Sequence, residues 1–299
     1  MPILLHKVSD QDKNFFERLL KRAEQIDSGN FTPPLEFRNK SLGMIFFEPS
    51  SRTNWSFHKA SIDMGLKVMS TYVDSSSSLS KGESLADSLS LFLNLDFDIV
   101  VMRSKEDQTL LNLIQSHKSD THFINAGFGS DAHPTQALLD FYTWSKYTDL
   151  TSSPNILIMG DLRHSRVVRS HLRLARILGY NVGLCPLENL SLPEGELEEL
   201  SPAKVFKSRE EAIDWADILM PLRAQKERFQ EGGLNHYKAY PLKSEELSKK
   251  HWLMHPGPIV WGEDLDPELM QYPKSLISHQ QKSGLTCRAA LISLMLEEN

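Results

Sequence analysis

The chain has 299 residues, of which 40% are hydrophobic and 24% charged, with a formal net charge of −6. That is the composition of a soluble, folded protein with room for two ordinary domains, and its sign offers nucleic acid no basic face. Two cysteines (Cys185 and Cys287) exclude a disulfide framework or a cysteine metal site, no apolar run reaches membrane-spanning length, and the amino terminus lacks signal-peptide architecture, so the cytoplasm is the expected compartment.

Residues 10–28 have the spacing of an amphipathic helix, with Asp10 at its start, Phe15, Phe16, Leu19, Leu20 and Ala23 on one side and Gly29 at its end. The apolar run from Met44 to Phe47 predicts a buried strand. It leads into Ser50-Ser51-Arg52-Thr53, which opens a helix whose Phe57, Ala60 and Met64 recur at helical spacing. The first N–H groups of a helix lack internal acceptors, and the dipole there favours negative charge. Hydroxyls and a guanidinium added at that point suit phosphate. Read alone, the same serines serve equally well as helix caps and Arg52 as a solvated charge.

Lys67 to Val73 predicts a second strand. The serine-rich stretch 74–84 reads as a solvated loop, or as a loop whose Lys81 closes over an anion; Leu85, Leu89 and Phe92 then begin a helix. Phe97 to Met102 predicts another buried strand with Arg103 at its carboxyl end, where open α/β sheets collect ligands. An ion pair with Glu106 or Asp107 is the alternative use of Arg103. A helix over 108–117 and a strand over His122–Asn125 precede a glycine-containing loop, after which His133 stands at a helix entrance and Gln136 one turn along.

The helix from Pro134 to about Tyr147 is expected to join two domains, one spanning 1–148 and the other 149–283, with a C-terminal helix over 284–299 packing back on the first. Asn155 to Gly160 starts the second α/β unit. The turn that follows, Asp161-Leu162-Arg163-His164-Ser165-Arg166, lacks the Gly-x-Gly-x-x-Gly spacing of a dinucleotide site. Arg163, Arg169, Arg173 and Arg176, and the acidic residues from Glu194 to Glu199, read as solvated charges. Strands are expected at Val182–Cys185, Lys204–Phe206 and Asp217–Met220. Arg223-Ala224-Gln225-Lys226-Glu227-Arg228 patterns as a surface turn with paired charges. His255-Pro256-Gly257-Pro258 forces an irregular backbone able to aim carbonyl oxygens at a ligand. The fold class that emerges is α/β: two mostly parallel sheets flanked by helices, joined by one helix and closed by another.

Six of these stretches carry a resemblance. Phe-x-x-Ser-Ser-Arg-Thr (47–53), Ser-x-x-x-Lys-Gly-Glu-Ser (77–84), His-Pro-x-Gln (133–136) and Arg-x-Gln-x-Glu-Arg (223–228) resemble, in order and spacing, the aspartate and ornithine carbamoyltransferase family. Gly-Asp-Leu-x-x-x-Arg (160–166) is similar to its second-substrate domain, and His-Pro-x-Pro (255–258) resembles the aspartate branch rather than the His-Cys-Leu-Pro of the ornithine branch. The chain departs from the family in carrying Phe128 where aspartate is common, and Gly257 and Ile259 where some aspartate enzymes have leucine or alanine and arginine.

The resemblance implies carbamoyl transfer from carbamoyl phosphate to L-aspartate, a step of pyrimidine synthesis, without cofactor or metal. It implies phosphate binding by Ser50, Ser51, Arg52, Thr53 and Arg103, with Ser77 and Lys81 reaching in from a neighbouring subunit of a homotrimer. It assigns Thr53, Arg103 and His133 to the carbonyl oxygen, and Gln136 with the carbonyls of Pro256 and Gly257 to the carbamoyl nitrogen. Arg166, Arg223 and Gln225 fall to the two carboxylates, with 230–246 as a mobile segment. A regulatory subunit or a dihydroorotase is a possible partner. The rival expectations are an enzyme for ornithine or another amino acid, a non-catalytic structural paralogue, and a nucleotide-dependent α/β enzyme.

Overall fold

The computed structural model describes residues 2–73, 82–105, 108–117, 120–129, 131–150, 153–200, 203–229 and 240–298. Ser77 and Lys81 lie outside the described residues, as do Glu106, Asp107 and most of the expected mobile segment, 230–239. The chain divides into two compact units, Met1–Leu138 with Lys282–Asn299, and Leu139–Gln281.

The first unit holds strands β1 (Leu4–Leu5), β2 (Ser41–Phe46), β3 (Lys67–Tyr72), β4 (Ile99–Ser104) and β5 (His122–Phe128), all parallel, in the order β1-β5-β4-β2-β3. Helices α1 (Lys13–Asp27), α2 (Ser51–Asp63), α3 (Leu85–Leu93) and α4 (Gln108–Ser116) supply the intervening chain. Parallel neighbours need such crossovers, and strands covered on both faces become continuous apolar runs. Every residue of β5 and all but the first of β2 are buried. Ile45, Leu89, Phe92, Val100, Leu110 and Phe128 belong to one core cluster.

The second unit repeats the plan with β6 (Asn155–Gly160), β7 (Asn181–Pro186), β8 (Lys204–Val205), β9 (Ile218–Pro221) and β10 (Trp252–Leu253), again all parallel, in the order β10-β9-β6-β7-β8. Its helices include α6 (Arg166–Leu178), α7 (Glu196–Leu200) and α8 (Arg209–Trp215). Two long helices, α5 (Pro134–Tyr147) and α9 (Ile277–Glu297), each contain a point where the chain passes from one unit to the other.

Several local expectations shift. Asp12, not Asp10, caps α1 by accepting from Phe15 N–H at 2.8 Å. Asp10 instead closes a short 3-10 turn by accepting from the N–H groups of His6 and Lys7. Strand β4 extends through Arg103, and β5 through Gly127 and Phe128. Helix α8 and the two-residue strands β1 and β10 carry too little periodicity to be seen in the sequence, and α9 begins at Ile277, ahead of its obvious apolar spacing.

Candidate active site

In each unit the parallel sheet brings the carboxyl ends of its strands to one edge, and the residues singled out by sequence follow those ends. In the first unit, β2, β4 and β5 are neighbours. Phe46 at the end of β2 is in register with Arg103, and Ser104 with Phe128. Phe47 N–H donates to the Arg103 carbonyl at 2.8 Å, and Gly129 N–H to the Ser104 carbonyl at 2.8 Å. Three loops from distant parts of the sequence are thereby stitched side by side.

The loop after β2 starts α2. Ser50 is its N-cap residue but makes no capping bond with its side chain, so its hydroxyl is not spent on the helix. Ser51 and Arg52 are exposed on the first turn, whereas Thr53 is buried at 7% exposure. Desolvation lowers the pKa of Arg52, yet a guanidinium stays cationic at neutral pH. The Ser50–Thr53 stretch therefore presents hydroxyls, a cation and a helix N-terminus together.

Arg103 is mostly buried. Its Nη1 donates to the Ala126 carbonyl at 3.1 Å, and its Nη2 pairs with Glu48 Oε1 at 2.8 Å. Glu48, itself only 7% exposed, follows β2 directly and was not singled out by the sequence. Its carboxylate occupies one arm of the guanidinium that the resemblance gives to phosphate. After β5, Asn125 holds the glycine loop: its Oδ1 accepts from Gly127 N–H at 2.6 Å, and its Nδ2 donates to the His6 carbonyl at 2.7 Å. Phe128 bridges to Ala132, and the chain then enters α5 with His133 buried and Gln136 half-buried one turn on. Phe128 is a core residue here, set edge-on to His6 with ring centroids 5.6 Å apart.

In the second unit the neighbours β10, β9 and β6 lead into the His255–Pro258 turn, the Arg223–Gln225 segment and the 161–166 turn. Gly160 makes the junction between two of them possible: its φ is +115°, and a Cβ there would sit 2.7 Å from the Leu222 carbonyl oxygen. Asp161, with no exposed surface, accepts from Gln225 N–H at 2.9 Å and lies 3.0 Å from His164 Nδ1. Gln225 Nε2 donates to the His164 carbonyl at 2.8 Å. Asp161 and His164, given no role of their own from the sequence, thus fasten the segment bearing Gln225 to the turn bearing Arg166, the first residue of α6.

Arg223 forks onto Glu227, with Nη1 to Oε2 at 3.0 Å. That hydrogen bond raises the Arg223 pKa and holds the Glu227 carboxyl below its usual range. In the His255–Pro258 turn, Gly257 N–H donates to His255 Nδ1 at 2.8 Å and the Gly257–Pro258 bond is cis.

Arg169 is not the solvated charge its sequence context suggested. It is 5% exposed, forks onto Glu196 at 2.6 and 2.7 Å, and donates to the carbonyls of Arg163 and Ser165. Glu196 is correspondingly paired rather than free in solvent. Truncating Arg169 to alanine leaves a carboxylate and two turn carbonyls short of donors. We expect a loss of about 3 kcal/mol in thermal or urea unfolding. A loss under about 0.5 kcal/mol would return Arg169 to the class of ordinary surface charges.

Residues 5–146 match the family model described as "Aspartate/ornithine carbamoyltransferase, carbamoyl-P binding domain", and residues 153–295 the one described as "Aspartate/ornithine carbamoyltransferase, Asp/Orn binding domain". The aspartate carbamoyltransferase catalytic subunit of Aquifex aeolicus (strain VF5) is 35% identical over 300 residues, covering 96% of this chain and 97% of that protein. Among solved structures, Trypanosoma cruzi aspartate transcarbamoylase in complex with carbamoyl phosphate and aspartate superposes with a TM-score of 0.85 at 27% identity, covering 97% of this chain and 96% of that one. The catalytic subunit of M. jannaschii aspartate transcarbamoylase gives a TM-score of 0.84 at 29% identity over 100% and 99% of the two chains. With both halves matched end to end, and with the strand-end loops carrying the motifs in each, the chain belongs to the aspartate/ornithine carbamoyltransferase family.

Proposed function

We infer that this protein transfers the carbamoyl group of carbamoyl phosphate to the amine of L-aspartate, giving N-carbamoyl-L-aspartate and phosphate for pyrimidine synthesis. One observation carries the choice of aspartate: the second unit sets two arginines, Arg166 and Arg223, on loops fastened together through Asp161, His164 and Gln225. Two carboxylates call for two forked cations, whereas the ammonium side chain of ornithine would be repelled by the same pair.

Carbamoyl phosphate is already activated, so the chemistry needs orientation and charge stabilisation rather than a protein nucleophile. The domain over 1–148 with 284–299 takes carbamoyl phosphate. Ser50, Ser51, Arg52, Thr53 and Arg103 bind its phosphate, and Thr53, Arg103 and His133 donate to the carbonyl oxygen as it becomes negative. Arg103 must then exchange Glu48 for substrate, a swap of one anion for another at a guanidinium that is already desolvated. Gln136 and the carbonyls of Pro256 and Gly257 bind the carbamoyl nitrogen and orient the attacking amine. The domain over 149–283 takes aspartate through Arg166, Arg223 and Gln225. The ammonium of aspartate must lose a proton before its nitrogen can attack, and the leaving phosphate, rather than a dedicated side-chain base, takes part in that transfer.

The functional protein is a homotrimer in which Ser77 and Lys81 of one subunit complete the phosphate site of the next. The apolar surface of the first unit supports this: Trp55 on α2 is 69% exposed and Leu91 on α3 64%, with Ile62 and Leu95 also outward. Large apolar side chains exposed on successive helices mark a surface for another protein.

The test is phosphate release and carbamoyl-product formation from carbamoyl phosphate, with L-aspartate and L-ornithine compared side by side. Turnover with aspartate alone is expected. Turnover with ornithine would overturn the second-unit assignment, and silence with both, from folded trimer, would favour a non-catalytic role.

A further inference from the structure

The His255–Pro258 turn hangs on a series of buried side chains that none of the roles above uses. His255 N–H donates to Gln280 Oε1 at 2.9 Å, and Gln280 Nε2 donates to Asp140 Oδ1 at 2.7 Å. The second oxygen of Asp140, Oδ2, lies 3.1 Å from His171 Nε2, and His171 Nδ1 lies 3.1 Å from Tyr180 Oη. The phenol in turn donates to the His171 carbonyl at 3.1 Å. Asp140 and His171 have no exposed surface, His255 is 3% exposed and Gln280 4%. The series runs from α6 through α5 and α9 to the chain after β10, within the second unit.

Two features make it directional. Pro256 and Pro258 have no N–H, so only His255 and Gly257 can anchor this turn by backbone donors. The Gly257 donor is consumed inside the turn, on His255 Nδ1, which leaves His255 N–H to tie the turn to the body of the unit. On the far side Asp264 accepts from Val260 N–H at 2.7 Å, with its Oδ2 3.5 Å from His255 Nε2. The amide of Gln280 has one orientation: a carboxylate accepts and a backbone N–H donates, so Nε2 must face Asp140 and Oε1 must face His255. A buried carboxylate left without donors is costly, which holds Gln280 in place.

We propose that Asp140 and Gln280 are positioning residues for the His255–Pro258 turn, aiming the carbonyls of Pro256 and Gly257 at the carbamoyl nitrogen. This rests on the assignment of that turn to carbamoyl phosphate.

Four proteins test it: the wild type and the variants Gln280→Leu, Gln280→Glu and Tyr180→Phe, each assayed for KM, kcat and thermal midpoint. Gln280→Leu is expected to lose about 10- to 100-fold in kcat/KM for carbamoyl phosphate, since small misplacements of an orienting group have effects of that size. Its KM for aspartate should move little. Tyr180→Phe loosens the far end of the same series and should leave kcat/KM within about threefold.

Gln280→Glu supplies the readout that a merely structural role would not move. The titratable groups facing that position are Asp140 and His255, with His171 beyond Asp140 and Asp264 beyond His255. A glutamate there accepts from His255 N–H but bridges to Asp140 only while the two carboxyls share a proton. Its activity relative to wild type should therefore rise as the pH is lowered. Wild-type kinetics in Gln280→Leu, losses in Tyr180→Phe that match those of Gln280→Leu, or a wild-type pH profile in Gln280→Glu would each overturn the proposal. Failure of the wild type to use carbamoyl phosphate would instead overturn the assignment of the turn, and this proposal with it.

Discussion

Replacing Arg103 with alanine is expected to lower kcat/KM for carbamoyl phosphate about a thousandfold, close to 4 kcal/mol of transition-state stabilisation. Two effects combine. The variant loses a guanidinium assigned both to phosphate and to the carbonyl oxygen that becomes negative, and it removes the Arg103 cation from the buried Glu48 carboxylate. Loss of that ion pair also destabilises the first unit, by about 3 kcal/mol. The double variant Glu48→Gln/Arg103→Ala separates the two: it should regain thermal stability without regaining activity. If the single variant stays within tenfold of wild type, or the double variant recovers activity, Arg103 serves the fold and not the reaction.

Arg223→Ala is expected to raise KM for aspartate about a hundredfold, near 2.7 kcal/mol, because a forked charge-assisted contact to one carboxylate is lost. Binding of carbamoyl phosphate should change only slightly. Glu227 gives the same substitution a second readout. Its folded-state pKa lies below the ordinary carboxylate range, chiefly through its hydrogen bond from Arg223. A depressed carboxylate contributes stability that is present above its unfolded pKa and fades as the pH falls through the folded value. Both partners are partly exposed, so solvent screening keeps that contribution small. In Arg223→Ala the principal cause of the shift is gone, and the Glu227 titration, followed by carboxyl NMR, should move upward. Equal losses for both substrates would mean that Arg223 has been given the wrong partner.

Both expectations depend on carboxylates that look dispensable in the sequence. Glu48 sits beside a stretch of hydroxyls and an arginine suited to an anion, where an acid is electrostatically unwelcome, and Glu227 lies in a run of alternating charges. In the structure each holds an arginine that the proposed mechanism assigns to a substrate. Such a pairing keeps a guanidinium oriented before substrate arrives, and in exchange the substrate must compete with a resident anion.

What the sequence determined by itself was the local chemistry. An apolar run followed by hydroxyls and an arginine at a helix start specifies a strand, a turn and an anion-seeking helix end, all within one short segment, and β2 and α2 follow that pattern. The same holds for His133 and Gln136 before and within α5, and for Arg166 at the start of α6. Periodicity and motif spacing are properties of neighbouring residues, so they are legible without a fold.

The tertiary structure decided which of these segments lie side by side, and what the charges between them do. Strand order places the ends of β2, β4 and β5 together in one unit and those of β6, β9 and β10 together in the other. Only that order shows that Arg103 meets Glu48, that Arg169 is buried on Glu196, and that Asp140 faces His171 and Gln280. A charged residue has the same letter whether it is solvated or buried against a partner far along the chain. The difference is one of desolvation and pairing, and both arise only when the sheet is assembled.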